Sequence, residues 1–136
     1  MSKTAVIYWS QTGNTEAMAN AIAEGAGVSA VSVSDISAAE AAEYDTLVLG
    51  CPAMGAEELD DSEFDPFYQE LKASLSGKNV AIFGSYDWGD GEWLRKWEAD
   101  VKETGANFVE ALQINLTPDD DGIAACKALG AKVAAL

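Results

Sequence analysis

The chain has 136 residues, 49% hydrophobic and 23% charged, with a formal net charge of −15 at pH 7 and no histidine. Its length suits one domain around a single core, and its composition excludes a disordered chain. The charge makes nucleic acid a poor partner, and without histidine there is no usual general base, no Ser/His or Cys/His pair and no commonest metal ligand, so chemistry must come from a cofactor or from carboxylates.

Five apolar, partly β-branched runs alternate with helix-like stretches, the pattern of a parallel sheet covered on both faces. A strand over 4–9 leads through a hydroxyl-rich turn into a helix over 14–24, with Met18 and Ile22 on one face and Gly25 and Gly27 as terminators. A strand over 28–33, a short Ala-rich helix over 38–42 and a strand over 46–50 follow. The third helix is expected to start with Asp65 as cap and Pro66 in its first turn, placing Phe67, Leu71 and Leu75 on one face. Strands over 80–85 and 108–114 alternate with helices over 92–104 and 122–136. The last helix carries Ile123, Cys126, Leu129 and Val133 on one stripe, and Trp93 and Trp97, four apart, are read as packing residues. The sum is an α/β fold, an open, doubly wound, five-stranded parallel sheet with helices on both faces, in one domain over 1–136.

Cys51 and Cys126 are too few for a disulfide framework and lack metal-ligand spacing, so they are read as reduced thiols and no metal is expected. The first apolar run is too short to span a membrane and no basic leader precedes it, which points to a cytoplasmic protein with no membrane partner. Between Lys3 and Lys72 there is no Lys or Arg but there are thirteen Asp or Glu. Such a face confers solubility or, more pointedly, docks basic proteins.

In sheets of this kind the ligand lies outside the carboxyl ends of the strands, at the switch point. After the first strand come Ser10, Gln11, Thr12, Gly13, Asn14 and Thr15. Their hydroxyls, the glycine and the free amides at a helix start form an anion cradle, or else a helix cap. The loop has neither the Lys of a Walker A motif nor a GxGxxG fingerprint, and it lacks the cation of a phosphatase, so it holds a phosphate rather than transferring one. The loops after the third and fourth strands each set a bulky side chain between glycines. Met54 and Trp88 could sandwich a planar ring, with neighbouring amides free to bond its edge.

The segments YWSQTGNTEAMA, LGCPAMGAEEL and FGSYDWGDGEW closely resemble those that define flavodoxins, particularly the short-chain type of anaerobic bacteria such as clostridia. The likeness spans essentially the whole chain. It implies strand order 2-1-3-4-5, of which flavodoxin is itself the reference example, and flavin mononucleotide (FMN) as cofactor. By position, Ser10, Gln11, Thr12, Gly13, Asn14 and Thr15 would hold its phosphate, and Met54 and Trp88 would cover the inner and outer ring faces. Gly55 and Ala56 match a dipeptide whose peptide flips on reduction, so that a carbonyl accepts a hydrogen bond from the flavin and favours the neutral semiquinone. Glu57 and Gly89 would bond the pyrimidine edge, and Ala53, Ser85, Tyr86 and Asp87 complete the two ring loops. Ala56, where other small or acidic residues are common, and Asp87, where glycine is usual, depart from the pattern.

The function so implied is a low-potential one-electron carrier, a monomer and not an enzyme, serving basic redox partners such as ferredoxin-utilising oxidoreductases. Two alternatives share the fold. A flavin-dependent NAD(P)H or quinone reductase would need a substrate pocket that this minimal chain has no extra segment to build. A signalling receiver domain would need acidic residues and a Lys where Trp9-Ser10, Gly50-Cys51 and Ile114-Asn115 stand.

Overall fold

The computed structural model describes residues 3–10, 13–52, 62–86, 91–115 and 118–136. Along the chain run β1 (Thr4–Tyr8), α1 (Asn14–Ala26), β2 (Ala30–Ser32), α2 (Ala38–Ala41), β3 (Thr46–Gly50), α3 (Phe64–Leu71), β4 (Asn79–Tyr86), α4 (Glu92–Glu103), β5 (Asn107–Asn115) and α5 (Asp120–Ala134). The strands form one parallel sheet in the order β2-β1-β3-β4-β5, as the resemblance implies.

Alternation along the strands decides which layer each side chain enters. Ala5, Ile7, Leu47, Leu49, Val80 and Ile82 pack with α2, α3 and α4, whereas Val6, Val48, Ala81 and Phe83 pack with α1 and α5. The three central strands therefore bury both faces, which is why their sequences read as unbroken apolar runs. β1 sends the chain to one side of the sheet and β3 to the other, so the switch point lies between their carboxyl ends. Register slips between β4 and β5 where Val80 pairs with Phe108 but Ala81 with Glu110, leaving Val109 as the extra residue of a bulge.

Several boundaries differ from expectation, each for a local reason. α1 does not stop at Gly25 but runs to Ala26, and Gly27 (φ 75°) ends it, donating its N–H to Ala23 O and Glu24 O. Gly25 instead lets α5 approach: a Cβ there would stand 2.1 Å from Lys127 O, and one at Gly130 would stand 2.0 Å from Ile22 O. β2 is short because Val33–Asp35 winds into a 3-10 turn begun by Ser32, whose hydroxyl competes for the Ser34 N–H. Asp65 is not the cap of α3. Glu63 holds that position, and Asp65 sits in the first turn accepting from Gln69 Nε2 at 3.2 Å. α5 begins two residues early because Asp119 accepts the Gly122 N–H at 2.8 Å and caps it.

Candidate functional site

At the switch point β1 ends and Trp9 continues the ladder for one bond, N–H to Gly50 O at 2.9 Å. Ser10 then turns back on the head of α1: its Oγ accepts the Gly13 N–H at 3.1 Å and the Glu16 N–H at 3.2 Å. Gly13 is the N-cap at φ 95°, with no side chain to cap the helix, so the hydroxyl three residues upstream does that work. Both lone pairs of Ser10 Oγ are thereby filled and its hydrogen is left to donate. The hydroxyl thus makes the helix cap, one of the two readings of the sequence.

The exits of β3 and β4 are tied into the same corner. Cys51 N–H donates to Phe83 O at 3.1 Å, and Cys51 O accepts from Trp93 Nε1 at 3.1 Å. β4 outruns β3, whose last pair is Gly50↔Phe83. Two residues further, the Ser85 N–H reaches Thr15 Oγ1 at 3.3 Å, and the two hydroxyl oxygens lie 3.0 Å apart. Tyr86 packs on Trp93 with centroids 5.8 Å apart, and its carbonyl accepts from Asn115 Nδ2 at 3.1 Å.

Charge is distributed by the topology. None of the eight Lys and Arg falls within residues 9–15, 51–63 or 86–91. Lys3 and Lys78 precede β1 and β4, and Lys72, Lys102 and Lys132 lie at or beyond the ends of α3, α4 and α5, all at the opposite end of the sheet. Glu63, Asp65, Glu92, Asp119, Asp120 and Asp121 sit at helix starts on the carboxyl side, where the helix dipole favours them. Tyr8, at the end of β1, is held above its ordinary pKa by burial and then by Glu16, whose Oε2 takes its hydroxyl hydrogen at 2.9 Å.

Of the expected site residues, the structure brings together Ser10, Gly13, Asn14 and Thr15 at the head of α1 and Ser85 and Tyr86 at the end of β4. Gln11, Thr12, Ala53, Met54, Gly55, Ala56, Glu57, Asp87, Trp88 and Gly89 lie outside the described residues. Two tryptophans hold bonds that the sequence does not show. Trp93 packs as expected but also bonds Cys51 O, and Trp9 Nε1 donates to Glu63 Oε1 at 3.3 Å. No sequence signal distinguishes an indole with such a partner from one without.

The sheet order and the hydroxyl-lined corner at its switch point define a flavodoxin-like protein. The flavodoxin family matches residues 6–130. The chain is 46% identical to the flavodoxin of Megasphaera elsdenii, over 92% of this chain and 93% of that one, and 44% identical to that of Clostridium beijerinckii, over 95% and 97%. The solution structure of two-electron reduced Megasphaera elsdenii flavodoxin superposes with a TM-score of 0.89 at 42% identity, covering 98% of this chain and 99% of the other. This chain belongs to the flavodoxin family. It is accordingly an FMN-binding electron carrier rather than an enzyme that turns over a substrate, and the reductase alternative gains no support from these relatives. Among the described residues, no helix is long and apolar enough to cross a membrane.

Proposed function

We propose that residues 1–136 work as one FMN-binding domain, a cytoplasmic monomer that carries electrons singly, at low potential, between larger redox enzymes. The observation that carries this reading is an uncharged, donor-rich cradle set in an acidic end of the molecule. Ser10 Oγ has its lone pairs filled by Gly13 N–H and Glu16 N–H, which leaves its hydrogen to donate, and no Lys or Arg stands in the three surrounding loops. That donor set fits a phosphate monoester and leaves its charge uncancelled.

Bound FMN supplies a ring that accepts and returns electrons one at a time. The chain's part is to hold it and set its surroundings. Ser10, Gln11, Thr12, Gly13, Asn14 and Thr15 hold the phosphate, while Met54 and Trp88 clasp the ring and exclude water from its faces. The Gly55-Ala56 peptide offers its carbonyl to the ring, Glu57 and Gly89 bond the pyrimidine edge, and Ala53, Tyr86 and Asp87 form the adjoining walls, while Ser85 is tied to Thr15 at the phosphate end.

The twelve carboxylates Glu57, Glu58, Asp60, Asp61, Glu63, Asp65, Asp87, Asp90, Glu92, Asp119, Asp120 and Asp121 oppose any added negative charge. Each at about 10 Å contributes roughly 1–2 kcal/mol of repulsion at an effective dielectric near 20, and about 1.4 kcal/mol corresponds to some 59 mV for one electron. Several together make the last electron hard to add. The same rim steers basic partners, of the kind that otherwise use ferredoxin, to the exposed ring edge.

Stepwise reduction of the FMN-loaded protein, followed by its visible spectrum, tests the carrier reading. Two separate one-electron waves are expected, and a single two-electron wave refutes it. Electron-transfer rates to a basic partner should fall steeply with added salt, and salt-independent rates would remove the docking role of the rim.

A further inference from the structure

Ser85 stands among the residues expected to touch the cofactor, yet its polar atoms are committed elsewhere. Thr15 and Ser85 are both buried, 1% and 5% exposed, so neither hydroxyl turns to bulk water for a partner. Thr15 Oγ1 already accepts the Ser85 N–H at 3.3 Å, and the Ser85 Oγ lies 3.0 Å from it, with either hydroxyl able to donate. A hydroxyl has one hydrogen and two lone pairs. If Ser85 donates, both lone pairs of Thr15 are filled and its hydrogen must go to a third group. If Thr15 donates, that hydrogen is spent on Ser85 and the head of α1 loses a donor.

Two observations favour the first polarity. Ser10, on the same loop, is placed the same way by the backbone, its oxygen accepting two N–H groups at 3.1 and 3.2 Å. The loop also has no Lys or Arg, so an anion there depends wholly on neutral donors and selects the polarity that turns hydrogens toward it.

We infer that Ser85 is a positioning residue: it donates to Thr15 and thereby fixes the Thr15 hydroxyl as a donor to the phosphate monoester at the head of α1. The assignment rests on the FMN reading and deepens it. It makes Ser85, on β4, act on the phosphate end of the cofactor through Thr15 and not on the ring that the loop after β4 serves.

The full chain, stripped of flavin, is titrated with FMN and with riboflavin, which keeps the ring and lacks the phosphate, as wild type, Ser85→Ala, Thr15→Val, Thr15→Ser and the Ser85→Ala/Thr15→Val double variant. Urea unfolding of each confirms that it folds. Ser85→Ala should weaken FMN binding about five- to tenfold, the scale of one ordinary hydrogen bond, and change riboflavin binding less than about twofold. It should cause no further loss in the Thr15→Val background, and Thr15→Ser should retain the wild-type ratio of the two affinities. Equal weakening of FMN and riboflavin, an additive loss in the double variant, or unchanged FMN affinity in Ser85→Ala overturns the inference while leaving the FMN reading intact. A wild-type protein that binds neither flavin overturns both.

Discussion

The two faces of the sheet are filled by opposite means. On one, α1 and α5 meet backbone to backbone through Gly25 and Gly130, over small and aliphatic residues such as Ala19, Ala21, Ile22 and Leu129. On the other, α3 and α4 interlock large rings: Phe64 and Tyr68 stand edge-on to Trp97, with centroids 5.3 and 5.9 Å away. Tyr68 and Lys72 both bond the half-buried Asp100 at 2.8 Å. The contrast matches what each face supports. α1 carries the proposed phosphate site at its head, and a helix seated on backbone contact has little room to shift. The ring face offers N–H handles, and through Trp93 one of them reaches the exit of β3.

Removing a ring should do the most damage. Trp97→Ala is expected to cost about 3–5 kcal/mol in urea unfolding, and a loss below about 1 kcal/mol would show that the aromatic cluster is not a packed unit. Isosteric changes sharpen the point. Trp97 Nε1 has no hydrogen-bond partner among the described residues, whereas Trp93 Nε1 bonds Cys51 O. Trp93→Phe should therefore cost about 1 kcal/mol more than Trp97→Phe, the scale of one buried hydrogen bond lost.

Gly130→Ala tests the other face. Alanine would improve helix propensity by about 1 kcal/mol, but the contact with Ile22 O forces the helices apart at a cost of about 3 kcal/mol, and a net loss of about 2 kcal/mol is expected. A more stable variant would break the distinction between the faces.

Cys126, buried on α5, has its thiol pushed from the ordinary 9.0 up to about 11 by burial. The unfolded chain ionises first, so the stability held by the neutral thiol is full below pH 9 and is lost as pH climbs toward 11. The difference in unfolding free energy between wild type and Cys126→Ala should shrink by about 2–3 kcal/mol between pH 8 and 11, and a difference independent of pH would place the thiol in water.

The smallest effect belongs to α2. Ser37→Ala, which breaks the Ser37/Glu40 capping box, should cost about 1 kcal/mol, seen as a small shift of the unfolding midpoint.

Legibility followed the range of the forces involved. β3 is legible to the residue because an apolar run between polar flanks is a local signal, and the stripes of α1 and α5 are legible from periodicity alone. Asp65 misleads as a cap because Asp before Pro is a good cap in isolation, whereas α3 starts two residues earlier, at Phe64, whose ring is buried against Trp97. Gly25 misleads because a glycine near a helix end has two uses, terminator and close contact, and the partner that decides between them, Lys127, is 102 residues away.

By itself, then, the sequence determined the alternation of strands and helices, the acidity of one end and the uncharged, hydroxyl-rich turn after β1, since these depend on residue type and near neighbours. Tertiary structure alone decided that Thr15 and Ser85, 70 residues apart, share hydrogens, and that Trp9 and Trp93 find Glu63 and Cys51. Hydrogen bonds need a partner within about 3 Å at a suitable angle, and only the closing of the sheet brings such partners together.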